Sequence, residues 1–163
     1  MASPYVLLKS ALFTVFVPGL VAWVIPQWLA RRESPELPIN RRLSKRAGWL
    51  SLITGVGLYL HTVWRFADEG GGTPAPWDEP NELVGGGVYA YSRNPMYLGV
   101  ILIVLGQALL YRSAHVLWWA VGCWLGFHHR VVDWEEPHLR KKHGEAYEQY
   151  CDDVPRWVPR IRP

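Results

Sequence analysis

Apolar residues in this chain gather in four long uncharged runs, not in the narrow stripes of a water-soluble bundle. Ser10 to Ala30 is 21 residues without a charge, Ala47 to Trp64 is 18, and Met96 to Tyr111 and Ala114 to His129 are 16 each. At about 1.5 Å per residue such helices reach roughly 24–32 Å, against a bilayer hydrocarbon core near 30 Å. The pattern predicts an all-α integral membrane protein of one domain, residues 1–163, with about four transmembrane helices at about 5–30, 47–65, 95–111 and 114–132. A long polar loop, 66–94, and a short polar C-terminal cap, 133–163, complete it. The first run exceeds the apolar core of a signal peptide. Arg31-Arg32-Glu33 follows it without an A-x-A cleavage pattern, so it reads as a membrane segment.

Local signals refine the segments. Pro26 removes a helical hydrogen bond and predicts a kink, tolerated where neighbours satisfy the freed carbonyl. Gly122-x-x-x-Gly126 predicts a smooth packing face on the fourth segment. Arg112-Ser113 joins the third and fourth segments as a hairpin. From Pro137 to Tyr150 the spacing of Leu139, His143, Ala146, Tyr147 and Tyr150 predicts one amphipathic helix. Pro137 suits its first turn and disfavours helical geometry at Glu136, which places Glu135-Glu136 at a junction.

Composition supports the same class. Only 19% of the 163 residues are charged, and there are ten tryptophans, a residue that concentrates where an apolar phase meets water. Cys123 lies in an apolar run and Cys151 in the polar tail, so the two cysteines read as separate thiols. The net charge of +3 comes from basic residues flanking the apolar runs. That suits anchoring at a membrane edge and gives no nucleic-acid partner. Four crossings put both termini on one side. Ten basic residues then lie on the termini side against seven on the other, a small bias toward termini facing the cytosol, which the six basic residues of the first loop, Arg31 to Arg46, oppose.

Polar information is densest at two stretches that a membrane hairpin returns to one face: Gly87 to Gly99, and Arg130 to Glu136. Ionisable groups at such depth need partners or a function. Gly87-x-Tyr89-x-x-x-Arg93-Asn94-Pro95-x-Tyr97-x-Gly99, then Glu135-Glu136-x-x-Leu139-x-x-x-x-Gly144-x-x-Tyr147-x-x-Tyr150 and Val154-Pro155-Arg156-Trp157-Val158-Pro159, resemble the isoprenylcysteine carboxyl methyltransferase family, which groups with the phospholipid methyltransferases. The resemblance covers roughly Asn81 to Pro159.

It implies a membrane methyltransferase using S-adenosylmethionine, releasing S-adenosylhomocysteine, with no metal and a lipophilic or lipid acceptor among membrane lipids. By position, it implies that Asn81, Glu82, Leu83 and Val84 line the cofactor and that Tyr89 packs on it. Asn94, Pro95, Met96 and Tyr97 would contact it at a helix start. Glu135 would take the methionine ammonium, with Glu136 beside it. Arg93 and Arg130 would be the catalytic pair that steers an acceptor carboxylate. Two departures stand out. Asn94 occupies the place of a family histidine and does not titrate near neutral pH. Arg130 lies five residues before Glu135, where the family has four, so it needs a local bulge or the reach of its long side chain.

Phospholipid N-methylation and methylation of a small isoprenoid or thiol remain open at this level. So, in other classes, do a membrane NADPH-dependent reductase and a non-catalytic haem-binding or scaffold protein.

Overall fold

The computed structural model describes residues 18–68 and 83–160, so Asn81 and Glu82 lie outside the described residues. The first segment makes a π turn, Leu20–Val24, before helix α1, Ile25–Ala30. Helix α2 spans Arg41–Asp68, α3 Pro95–Tyr111 and α4 Ala114–Arg130. A 3-10 turn, Gly87–Ala90, precedes α3. A second π turn, Val131–Glu135, carries α4 into α5, Glu136–His143, and α6, Glu145–Asp153, follows. The architecture is all-α, with no more than an isolated bridge between Glu36 and Ser113 outside the helices among the described residues.

Helix α3 is the centre: Val104, Gln107 and Ala108 on it are buried, with α2 on one side and α1 and α4 on the other. Glycines set the α2–α3 approach. A Cβ on Gly55 would meet the Gly99 carbonyl at 2.7 Å, and one on Gly106 would meet the Gly48 carbonyl at 2.8 Å. Each helix thus presents two glycines seven residues apart, where only a bare backbone fits. The close-packing face expected of Gly122 and Gly126 is not used this way: a Cβ on either meets nothing within 4 Å. The glycines that matter are those whose partners lie across the chain, which spacing within one helix does not reveal.

Pro26 behaves as its chemistry requires. Without an N–H it cannot donate to the carbonyl of Ala22, four residues back, while the π turn sends Ile25 N–H to Leu20 O and so leaves Val21 O without its α-helical donor. Gln107 Nε2 donates to Ala22 O, and Trp119 Nε1 donates to Val21 O at 2.9 Å. Gln107→Leu should therefore cost about 1–3 kcal/mol by orphaning a buried carbonyl. In a Pro26→Ala background, where a backbone donor returns, the cost should fall by at least half. A double-mutant cycle on thermal unfolding in detergent reads the difference.

The hairpin turn falls at Arg112, in the left-handed region at φ 52°, and Ser113 caps α4 by accepting from Val116 N at 3.4 Å. Two tail expectations are corrected. The helix over 137–150 is broken at Gly144, whose φ of 57° and ψ of −130° suit glycine alone. Glu136 is helical, at φ −64° and ψ −43°, because its N–H bonds back to Val131 O and the π turn continues the path into Pro137. Cys123 and Cys151 are both free, as their settings implied.

No helix among the described residues is both long and apolar enough to cross a membrane. Helices α3 and α4 have 17 residues each, and α2, with 28, interleaves its Leu and Ile with Gly, Ser, Thr and His.

Candidate active site

The two stretches singled out in sequence do converge. Tyr97, in the first turn of α3, donates its hydroxyl to Glu135 Oε1. Arg130 Nε reaches the same oxygen at 2.7 Å and the Tyr97 hydroxyl at 3.2 Å. The π turn makes this possible. Its wider turn absorbs one extra residue, so positions five apart face one another, and the spacing from Arg130 to Glu135 becomes a contact. The Arg130 guanidinium also lies 4.9 Å over the Trp134 ring. Phe127 stacks on Tyr97 with ring centres 4.6 Å apart.

Tyr89 closes the cluster from the 3-10 turn. It is buried, its ring edge meets Phe66 at 5.7 Å, and its carbonyl accepts from the Tyr150 hydroxyl at 2.8 Å. Burial pushes its phenol well above its ordinary value, and the negative potential of ionised Tyr150, Tyr97 and Glu135 adds to the effect. Gly87 opens that turn at φ 59°, and a Cβ there would sit 3.0 Å from the Arg65 guanidinium carbon.

Asn94 stands at the N-cap of α3 but makes no side-chain cap; its Nδ2 donates instead to Arg156 O at 3.1 Å. Pro95 at the first helical position has no N–H to satisfy, so Met96 and Tyr97 head the α3 N-terminus without an Asn94 side-chain acceptor. Leu83 and Val84 are half-buried, and Gly85 packs near the Tyr150 ring. A hollow of about 200 Å³ adjoins the same stretch on its α2 side, walled by Leu58, Val88, Tyr91, Pro95, Leu98 and others.

Arg93 and Glu136 are placed elsewhere. Glu136 is buried, and Arg156 grips it with Nε at 2.6 Å and a terminal nitrogen at 2.9 Å. Arg93 adds a contact at 3.0 Å and Arg140 one at 3.5 Å. Burial alone would raise the Glu136 pKa, but these hydrogen bonds and positive charges outweigh it and hold the carboxyl below its ordinary value. This ion cluster ties the C-terminal tail to the loop before α3, helped by Arg93 N to Pro155 O at 2.9 Å and the Ser92 hydroxyl to Arg156 O at 3.2 Å. The sequence pattern quoted Arg156 without showing that it would lock Glu136. The histidines are engaged locally: His128 Nδ1 accepts from Trp157 Nε1 at 3.0 Å, and His129 pairs with Asp133.

Arg130 and Glu135, on the continuous path from α4 into the π turn, thus meet Tyr97 of α3 at one end of the bundle, and comparison with known proteins says which family carries this arrangement. Residues 44–146 match the family model for phospholipid methyltransferases. The chain belongs to that family. It is 39% identical over 80 residues to the protein-S-isoprenylcysteine O-methyltransferase of Schizosaccharomyces pombe, covering 48% of this chain and 34% of that protein. It is 34% identical over 83 residues to protein-S-isoprenylcysteine O-methyltransferase B of Arabidopsis thaliana, covering 50% of this chain and 42% of that one. The matched region thus spans well under half the length of these curated relatives. No solved structure matches the chain significantly.

Proposed function

We propose that this protein transfers a methyl group from S-adenosylmethionine to a lipophilic acceptor at a membrane interface, with a prenylcysteine carboxylate as the leading acceptor. The observation that carries the reading is the Tyr97–Glu135–Arg130 group beside the α3 N-terminus. An amino-acid zwitterion needs an anion for its ammonium and N–H donors for its carboxylate. Glu135 is the first, and the opening N–H groups of α3, at the positive end of a 17-residue helix, are the second. The residues present therefore fit the methionine end of the donor. Aromatic rings at Tyr89, Tyr97 and Phe127 suit a neighbouring cation.

Bound donor supplies a methyl carbon already activated by its sulfonium. The chain contributes alignment and shelter from water. An acceptor carboxylate arrives ionised and needs no base. The half-exposed Arg130 guanidinium is positioned to draw it in, while Arg93, committed to Glu136, acts on the loop and not on the acceptor. Apolar residues turned outward on α2 and α4, among them Leu50, Ile53, Leu60, Trp118 and Leu125, support burial of this bundle in lipid as a multi-pass membrane protein. The site then opens at the end holding α5 and α6, the cytosolic side in this reading.

Calorimetric titration of the detergent-purified protein with S-adenosylhomocysteine should show micromolar binding. A folded preparation that binds none refutes the proposal. Tritium transfer from methyl-labelled donor to a farnesylcysteine analogue, and not to phosphatidylethanolamine, should then name the acceptor. The reverse would make it a phospholipid N-methyltransferase.

A further inference from the structure

The charges of the two bundle ends are strongly unequal. At the end opposite the candidate site, residues 31–46 carry six basic and two acidic residues, and Arg112 from the hairpin turn adds a seventh cation. At the site end, the described residues 65–68, 83–94 and 130–160 carry eight of each sign. The opposite end is thus about +5 and the site end neutral. Of its seven cations only Arg112 has a carboxylate partner among the described residues, Glu36 at 3.1 Å. Arg31, Arg32 and the four that open α2 are all exposed.

Apart from Leu43, exposed by 61% among them, apolar surface on α2 begins where these cations stop. Arg41, Arg42, Lys45 and Arg46 occupy the outward face of α2. One turn further, that face becomes Trp49, Leu50 and Ile53, exposed by 49%, 69% and 66%. Trp28 on α1 and Trp118 on α4 are also exposed about one turn in from the same end. The Arg32 guanidinium lies 4.7 Å over the Trp28 ring. Three helices therefore present exposed tryptophan toward the same end as the cations. Indole rings favour the boundary between headgroups and hydrocarbon, and arginine pairs with phosphate.

We propose that this basic end is a binding surface for anionic phospholipid headgroups, holding the leaflet opposite the candidate site. Nucleic acid would match the cations but not the outward Trp49, Leu50 and Ile53 that continue their face. The proposal rests on the membrane reading above and extends it to a lipid preference.

The test uses the full-length protein in liposomes containing brominated phosphatidylglycerol or brominated phosphatidylcholine, with quenching of intrinsic tryptophan fluorescence as readout. Each cation near an anionic surface contributes about fivefold in affinity. Wild type should prefer brominated phosphatidylglycerol by at least tenfold at low salt, less at high salt. The Arg41→Gln/Arg42→Gln/Lys45→Gln/Arg46→Gln variant should lose most of that preference, and Arg31→Gln/Arg32→Gln part of it. Both should keep wild-type S-adenosylhomocysteine binding, which certifies their fold. Equal quenching by the two lipids in wild type overturns the lipid preference and leaves the membrane reading standing. Quenching by neither overturns both. Retention of a single-stranded oligonucleotide at physiological salt, lost in the fourfold variant, assigns the cations to nucleic acid and also overturns the proposal.

Discussion

Glu135→Ala should lower affinity for S-adenosylhomocysteine about 10- to 150-fold, enough to take micromolar binding out of calorimetric range. Hydrogen bonds to a charged group are worth about 1.5–3 kcal/mol, and each 1.4 kcal/mol is tenfold. The carboxylate in question stands between the Tyr97 hydroxyl and Arg130 Nε, with both on Oε1. Its removal deletes the counter-ion for the ligand's ammonium and leaves the Arg130 guanidinium beside the site, so the local potential becomes more positive. Glu135→Gln keeps the volume and one acceptor, and should fall between the two. Tyr97→Phe removes only a hydroxyl that orients the carboxylate, so a loss of about tenfold is expected. If Glu135→Ala binds like wild type while remaining folded, the zwitterion site does not lie there and the functional reading fails with it.

How much of this was legible depended on the distance over which each decision is made. Helix position was legible because it rests on local apolar runs: α3 falls at Pro95–Tyr111 as expected, and the turn falls at Arg112. The demand created by Pro26 was legible too, since a missing N–H is a property of one residue. Which donors would answer it was not, because Gln107 and Trp119 lie 85 and 98 residues beyond the carbonyls they reach. The same holds for Gly55 against Gly99, and for the burial of Glu136 under Arg156. At the site, the meeting of Tyr97 and Glu135 followed from hairpin topology together with the family pattern. The five-residue step from Arg130 to Glu135 carried the signature of the π turn: an extra residue must either rotate Arg130 away or widen the helix. The Gly144 break was signalled by a glycine inside an apparent helical repeat, whose periodicity runs on through the stop.

Glu136→Ala should be the more damaging change to the fold, by about 3–5 kcal/mol, because it leaves the positive charges it joins without their counter-ion. The Arg93 and Glu136 side chains are 11% and 3% exposed, so water does little to replace the lost carboxylate. The tail should detach first, since the grip of Arg156 on Glu136 joins it to α5. Trypsin cleavage at Arg156 and Arg160 should therefore accelerate before global unfolding in detergent does. The pH dependence has a fixed sign. The folded-state pKa of Glu136 lies below its ordinary value of 4.5, so the clasp's stabilisation is fully present above that value and is lost as pH falls through the folded pKa. Wild type should thus show acid-triggered tail release below about pH 4.5, a step that Glu136→Gln, already uncharged, should lack. A variant whose tail stays as protease-resistant as wild type at neutral pH would show that Arg93, Arg140 and Arg156 do not depend on this carboxylate, and that the backbone bonds from Arg93 to Pro155 and from Arg160 to Tyr91 suffice to hold the tail.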